Sequence, residues 1–214
     1  MAEEQKYYAC YCRLDNANAD SLIKVDGNAM VIGVELNLAR EVHVTQRGKE
    51  VPRIVLASGD YQMGFLPVKE YKKVKDLQEQ GWICRAFLSL AVYNRLENSY
   101  WAEVALVCYS KEHEEAFAGF CDKLVRRICK GGHPDIDLSD AEVERVIETN
   151  GQWAEMSEKK RPKLEVGSAY FKTRRSFAEN MAYAAAEGNK GCYVGLFIAV
   201  FVIIFTIIWF VFFR

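Results

Sequence analysis

Residues 82–109, WICRAFLSLAVYNRLENSYWAEVALVCY, decide the fold class. Two long apolar runs, Trp82 to Tyr93 and Tyr100 to Tyr109, flank the polar stretch NRLENS. Runs rich in β-branched and aromatic residues, bounded by turn formers, predict two long strands joined by a tight connection. Just upstream, Pro52 to Ser58, a Gly59-Asp60 turn and Tyr61 to Leu66 predict a hairpin. Pro67 then opens a helix ending at Gly81, whose apolar positions Val68, Tyr71, Val74 and Leu77 recur every three residues. Its lysines and Glu70 read as a solvated face. Further upstream, Tyr7 to Arg13 alternates, and Ala29 to Leu38 and Glu41 to Gln46 read as successive strands.

Downstream of Ser110 the hydrophobic period lengthens from two to between three and four. Phe117, Phe120, Cys121, Leu124, Val125 and Ile128 form a helical stripe that Gly131-Gly132 stops. Ser139-Asp-Ala-Glu142 is a capping box for a second helix, with Val143, Val146 and Ile147 as its buried side and Asn150-Gly151 as its end. Residues 151–175 read as a polar and basic connector whose Trp153 docks on the core. Ser176-Phe-Ala-Glu179 starts a short Ala-rich helix, which Gly188 and Gly191 separate from the C-terminal segment.

That C-terminal segment is YVGLFIAVFVIIFTIIWFVFFR, residues 193–214, uncharged until Arg214. At about 1.5 Å of rise per residue such a helix matches the roughly 30 Å hydrocarbon core of a bilayer. Lys172, Arg174, Arg175 and Lys190 on the near side favour a cytoplasmic body. The N-terminus, MAEEQKYYACYCRLD, lacks the apolar core of a signal peptide. These features predict a single-pass, tail-anchored protein. Tyr193, Phe197, Phe201, Phe205, Trp209 and Phe213 recur every four residues and draw one aromatic stripe on the anchor, a surface for lipid or for helix association into oligomers.

The composition sets further bounds. Lys+Arg number 28 and Asp+Glu 29, so no overall basic charge points to nucleic acid. The 7 cysteines are an odd number in a domain facing a reducing compartment, and free thiols are expected. Cys10-x-Cys12 lacks a second ligand pair at finger spacing, with His43, His113 and His133 scattered. On a strand the two thiols share one face, which buried small side chains explain. Phosphate-loop, HExxH, GxSxG and kinase signatures are missing from the sequence. Asp135, Asp137, Asp140 and Glu142 suit a helix N-terminus rather than a divalent ion. The expectation is a non-enzymatic protein without metal or cofactor.

The segment from Pro52 to Tyr93 resembles part of a HIRAN domain. The matching pieces are the strand Arg53-Ile-Val-Leu56, the turn Ser58-Gly59-Asp60 and Met63-Gly64-Phe65-Leu66-Pro67, then the lysine-bearing helix, Gly81 and the strand from Trp82. The likeness extends over roughly residues 25–109. It implies a small, mostly antiparallel β-barrel of SH3/OB-like type with one or two helices; with the later helices and the transmembrane segment read from periodicity and hydropathy, the fold class is α+β. The domain plan is then a barrel over 1–110, a helical extension packed on it over 111–150, a connector with a short helix over 151–191, and an anchor over 192–214. Some family members bind the end of single-stranded DNA through an Asn-x-Tyr-Asp-x-Asn-Ala stretch. The corresponding Arg47-Gly-Lys-Glu-Val-Pro-Arg53 departs from it at the Tyr, Asn and Ala positions, with Glu50 near the family's Asp.

Three functions compete. A protein-interaction adaptor at the inner membrane face needs no special residues and is the leading expectation. A single-stranded nucleic-acid module would use Arg47, Lys49, Arg53, Lys69, Lys72 and Lys73 for phosphates, with Tyr61, Phe65 and Tyr71 as stacking surfaces. A membrane-perturbing effector of a defence system would gather anchors under control of the body. All three place the last residues in lipid. Full-length protein is expected to sediment with membranes and come free only in detergent, while a chain lacking residues 192–214 stays in the supernatant. Full-length protein in the detergent-free supernatant would remove the anchor.

Overall fold

A computed structural model of the chain describes residues 5–17, 32–44, 48–94, 96–153 and 155–170. These fall within one unit that ends at Thr173. The two long runs form the expected strands, β5 (Ile83–Asn94) and β6 (Ser99–Tyr109), paired antiparallel from Ile83↔Tyr109 to Asn94↔Ser99. Asn94 closes their turn, its Oδ1 accepting the backbone N–H groups of Leu96 and Glu97, and Asn98 takes a left-handed φ of 48°. Between Leu88 and Leu90 the register slips by one, leaving Ser89 in a bulge.

The remaining strands add to this pair. On the β6 side, β1 (Tyr7–Arg13) pairs antiparallel along its whole length, from Tyr7↔Tyr109 to Arg13↔Glu103. On the β5 side, β2 (Glu35–Val44) pairs only at Glu35↔Phe87 and Leu36↔Ala86, then leaves to form a meander with β3 (Glu50–Ser58) and β4 (Tyr61–Phe65). A short β7 (Ser168–Tyr170), not foreseen in the connector, pairs with Val92–Asn94 of β5. The strand order is β1-β6-β5-β2-β3-β4.

Two expectations need correction. The sheet is open, not a closed barrel. Closure demands a continuous ladder between the first and last strands, whereas here the edges meet at one bridge beyond the end of β1. Asp15 N–H donates to Phe65 O at 2.9 Å, and Phe65 N–H donates to Asp15 O at 2.9 Å. The segments read as two successive strands around Leu38 and Glu41 are one strand, β2, because Ala39 and Arg40 continue the ladder opposite Val55 and Ile54.

Alternation of side chains assigns a helix to each face of the central strands. One face carries Cys12, Leu36, Ile54, Leu56, Met63, Ala86, Val104 and Leu106 and is covered by α1 (Val68–Glu79) through Val74 and Leu77. The opposite face carries Tyr7, Ala9, Phe87, Ala105 and Val107 and meets α2 (Glu114–Cys129), whose Phe117, Phe120, Cys121, Leu124 and Ile128 are all buried as the stripe predicts. Tyr7 and Tyr109 stack on Phe117 with centroids 5.2 and 5.1 Å apart. Each such buried side chain contributes about 1.5–3 kcal/mol of transfer free energy.

The capping box opens α3 (Asp140–Glu148) as expected, with the Glu142 carboxylate accepting Ser139 N–H at 2.8 Å and Ser139 O–H at 2.7 Å. Trp153 packs, half-buried, against the core. Among the described residues no helix is long and apolar enough to cross a membrane, and the expected anchor and the helix from Ser176 lie outside them.

α3 ends against α2 through backbone. Gly151 has φ +72°, and a Cβ there would sit 2.2 Å from the Ala116 carbonyl oxygen and 2.8 Å from Phe120 N. Gly59, also left-handed at φ +57°, turns in open space. Gly59→Ala is expected to cost about 1–2 kcal/mol from the left-handed backbone alone. Gly151→Ala adds a backbone clash and is expected to lower the urea midpoint clearly further. Equal losses would mean that the α2–α3 contact does not depend on Gly151.

Candidate functional site

The residues expected to bind a ligand fall into two groups that the sheet separates. Arg53 and Phe65 share the face turned away from α1, since Ile54 and Leu56 take the other. Lys69, Tyr71, Lys72 and Lys73 all ride on α1. Tyr61 begins β4 and packs against the core, half-buried. Lys49 is exposed just before β3, and Arg47 lies outside the described residues. The anchor residues Tyr193, Phe197, Phe201, Phe205, Trp209 and Phe213 lie outside them too.

The first group sits where the sheet edges meet. Gly64 lets β4 come close to the chain after β1: a Cβ there would lie 3.0 Å from Asp15 O and 3.1 Å from Leu14 Cβ. That approach sets Asp15 beside Arg53, whose Nη1 donates to Asp15 Oδ2 at 2.7 Å. The Arg53 guanidinium lies 5.9 Å from the centre of Phe65, and the His43 ring lies 5.2 Å from it. Phe65 itself is only 7% exposed. The sequence pointed to Arg53 and Phe65 but not to Asp15 or His43, which reach them only through strand register and the edge bridge.

The second group surrounds a buried carboxylate. Glu70, read as part of a solvated face, is 8% exposed and lines up with Val74 and Leu77, whereas Val68 is half exposed. The buried side of α1 therefore recurs at 70, 74 and 77, a four-then-three spacing that an acidic first member hides. Tyr8 O–H donates a short hydrogen bond to Glu70 Oε2, and the Cys10 thiol lies 3.5 Å from the same oxygen. Burial, reinforced by that carboxylate, pushes the Tyr8 phenol well above its usual range. Lys73 stands over the Tyr8 ring at 5.4 Å and donates to Gln5 Oε1 at 3.2 Å, and Lys69 Nζ is 4.0 Å from Glu70. Lys72 is exposed.

A third polar cluster lies on the α2 side of the sheet and was not foreseen. Glu103 of β6 and His133 are 8% and 4% exposed, with Nε2 2.9 Å from Glu103 Oε1. Ser89 O–H, offered by the β5 bulge, donates to Glu103 Oε1 at 2.9 Å. The Tyr11 ring stacks on His133 at 4.0 Å and its O–H donates to Pro134 O at 2.8 Å. Burial, with Glu103 adding to it, raises the Tyr11 phenol. His133 N–H donates to Glu158 at 2.8 Å, and Arg127 pairs with Glu158 at 2.5 Å. These contacts hold Glu158 below the usual carboxylate range despite the opposing effect of burial. Although Ser, His and Glu meet here, the serine bonds the carboxylate and not the imidazole. A nucleophile–base relay needs the reverse. The cluster fastens the loop after α2 to the sheet.

Among the described residues no set of His, Cys, Asp and Glu converges on a metal-sized cluster. Comparison with protein-family models, with characterised proteins and with solved structures yields no match.

Taking away one hydrogen-bond partner of a buried carboxylate costs roughly 1–3 kcal/mol, because the group keeps its desolvation penalty. His133→Ala, which leaves Glu103 with Ser89 as its side-chain partner, is expected to lower stability on that scale in urea unfolding. Tyr11→Phe, which removes one hydrogen bond, should cost about 1 kcal/mol. A loss under about 1 kcal/mol for His133→Ala would show that the pair does not hold the loop.

Proposed function

We propose that this chain is a non-enzymatic recognition module, HIRAN-like in its β-part, held at the inner face of a membrane by residues 192–214 and serving as an adaptor for a protein partner. The observation that carries the choice of partner is the Arg53–Asp15–Phe65 contact. A surface for single-stranded nucleic acid needs unpaired positive charge for phosphates and exposed aromatic faces for bases. Here the guanidinium is neutralised by a carboxylate at 2.7 Å and the aromatic ring is buried. Gly64 serves the close approach of two backbones, a use that needs no ligand. The membrane half of the reading is supported by the uncharged apolar stretch before Arg214 and by the basic flank of Lys172, Arg174, Arg175 and Lys190.

Full-length protein in detergent, titrated into labelled single-stranded oligonucleotides at low salt, is expected to give no rise in fluorescence anisotropy. Affinity capture should retain a specific protein partner after nuclease treatment. Oligonucleotide binding that weakens when Lys72 and Lys73 become Glu would replace the adaptor reading with the nucleic-acid one.

A further inference from the structure

The two central strands carry a thiol pair that takes no part in any of the three polar clusters. Cys84 of β5 and Cys108 of β6 are direct register partners. Directly opposed residues of antiparallel strands have Cα atoms about 4.5–5.5 Å apart, inside the range of about 4.4–6.8 Å that a disulfide spans. Both side chains point to the α1 side of the sheet, in step with Ala86 and Leu106. Their exposure differs: Cys84 is half-buried, while Cys108 is fully buried.

We propose that Cys84 and Cys108 form a reversible oxidation site, closing under a peroxide to a cross-strand disulfide that staples β5 to β6. The Cys84 thiolate attacks one oxygen of hydrogen peroxide; the S–O bond forms, the O–O bond breaks, and the departing hydroxide leaves as water with the proton Cys84 gave up. The Cys108 sulfur then attacks the resulting sulfenic sulfur. The S–S bond forms, the S–O bond breaks, and the second hydroxide leaves as water with the Cys108 proton. Two electrons pass from the two sulfurs to the peroxide. A thiol reductant reverses the reaction by exchange.

Exposure sets the roles. Cys84 is half-buried and within reach of a small oxidant, whereas Cys108 is fully buried. The attacking sulfur is thus the accessible one, and the resolving sulfur is shielded. Cross-strand Cβ atoms stand about 4.5–5.5 Å apart, a little beyond the roughly 3.5–4.5 Å of a relaxed disulfide. Closing the bridge therefore draws the two strands slightly together, and a thiol reductant reopens it by exchange. Cys10 and Cys12 share a face of β1 but sit two residues apart, about 6.4–6.8 Å along one strand, with parallel Cβ directions that disfavour a bond between them.

The test uses full-length protein in detergent, treated with stoichiometric hydrogen peroxide, blocked with a maleimide and mapped by mass spectrometry after proteolysis. Two of the 7 thiols are expected to disappear into one intrachain Cys84–Cys108 linkage and to return with dithiothreitol. Cys84→Ser should keep all its remaining thiols at the same dose. Accumulation of sulfinic acid at Cys84 without linkage, preferential oxidation of Cys10, Cys12 or the exposed Cys129, or no thiol loss would each overturn the proposal.

Discussion

The β5–β6 ladder is the element on which everything else leans. Its inner residues, from Ala86 to Val92 and from Ala102 to Cys108, are buried on both faces, so neither strand has a solvent side. A strand pair in that condition cannot stand alone in water. It requires α1 on one face and α2 on the other, and its two edges recruit β1 on one side and β2 with β7 on the other. The same ladder places Cys84 against Cys108, carries Glu103 inward and sets the bulge that supplies Ser89.

Burial on both faces also explains how polar groups enter the interior. A carboxylate in such a place is tolerable only with partners close by. Glu103 has Ser89 and His133; Glu70 has Tyr8, with Cys10 and Lys69 near. Each carboxylate ties an element to the sheet: Glu103 holds the loop after α2, and Glu70 holds the first turn of α1 to β1. They act as fasteners whose directional bonds choose one docking of helix on sheet, where apolar contacts alone would accept several.

How far the sequence could be read varied by element, for physical reasons. Strands and helices with a strong period were plain: β5, β6, the stripe of α2 and the capping box of α3 stand close to where the pattern puts them. The buried side of α1 is hidden in the sequence because Glu70 takes an apolar position, and periodicity weighs an acidic residue as solvent-facing whatever its partner. The single strand β2 looks like two in the sequence because its exposed outer half gives no alternation to follow. β7 is too short for any pattern. Of the candidate site, Arg53 and Phe65 do meet, but Asp15 and His43 join them from distant positions, and the lysines of α1 lie across the sheet.

Local pattern alone therefore determined the element types, the apolar stripe of α2, the sharing of one face by Cys10 and Cys12, and the character of the final apolar stretch, since each depends on residues within a few positions. Strand order, the open sheet in place of a barrel, the pairing of Cys84 with Cys108 and the partners of Glu70 and Glu103 were decided only by the tertiary structure. They depend on which strands share hydrogen bonds, and that choice is made by the burial of whole faces at once, a quantity no single segment contains.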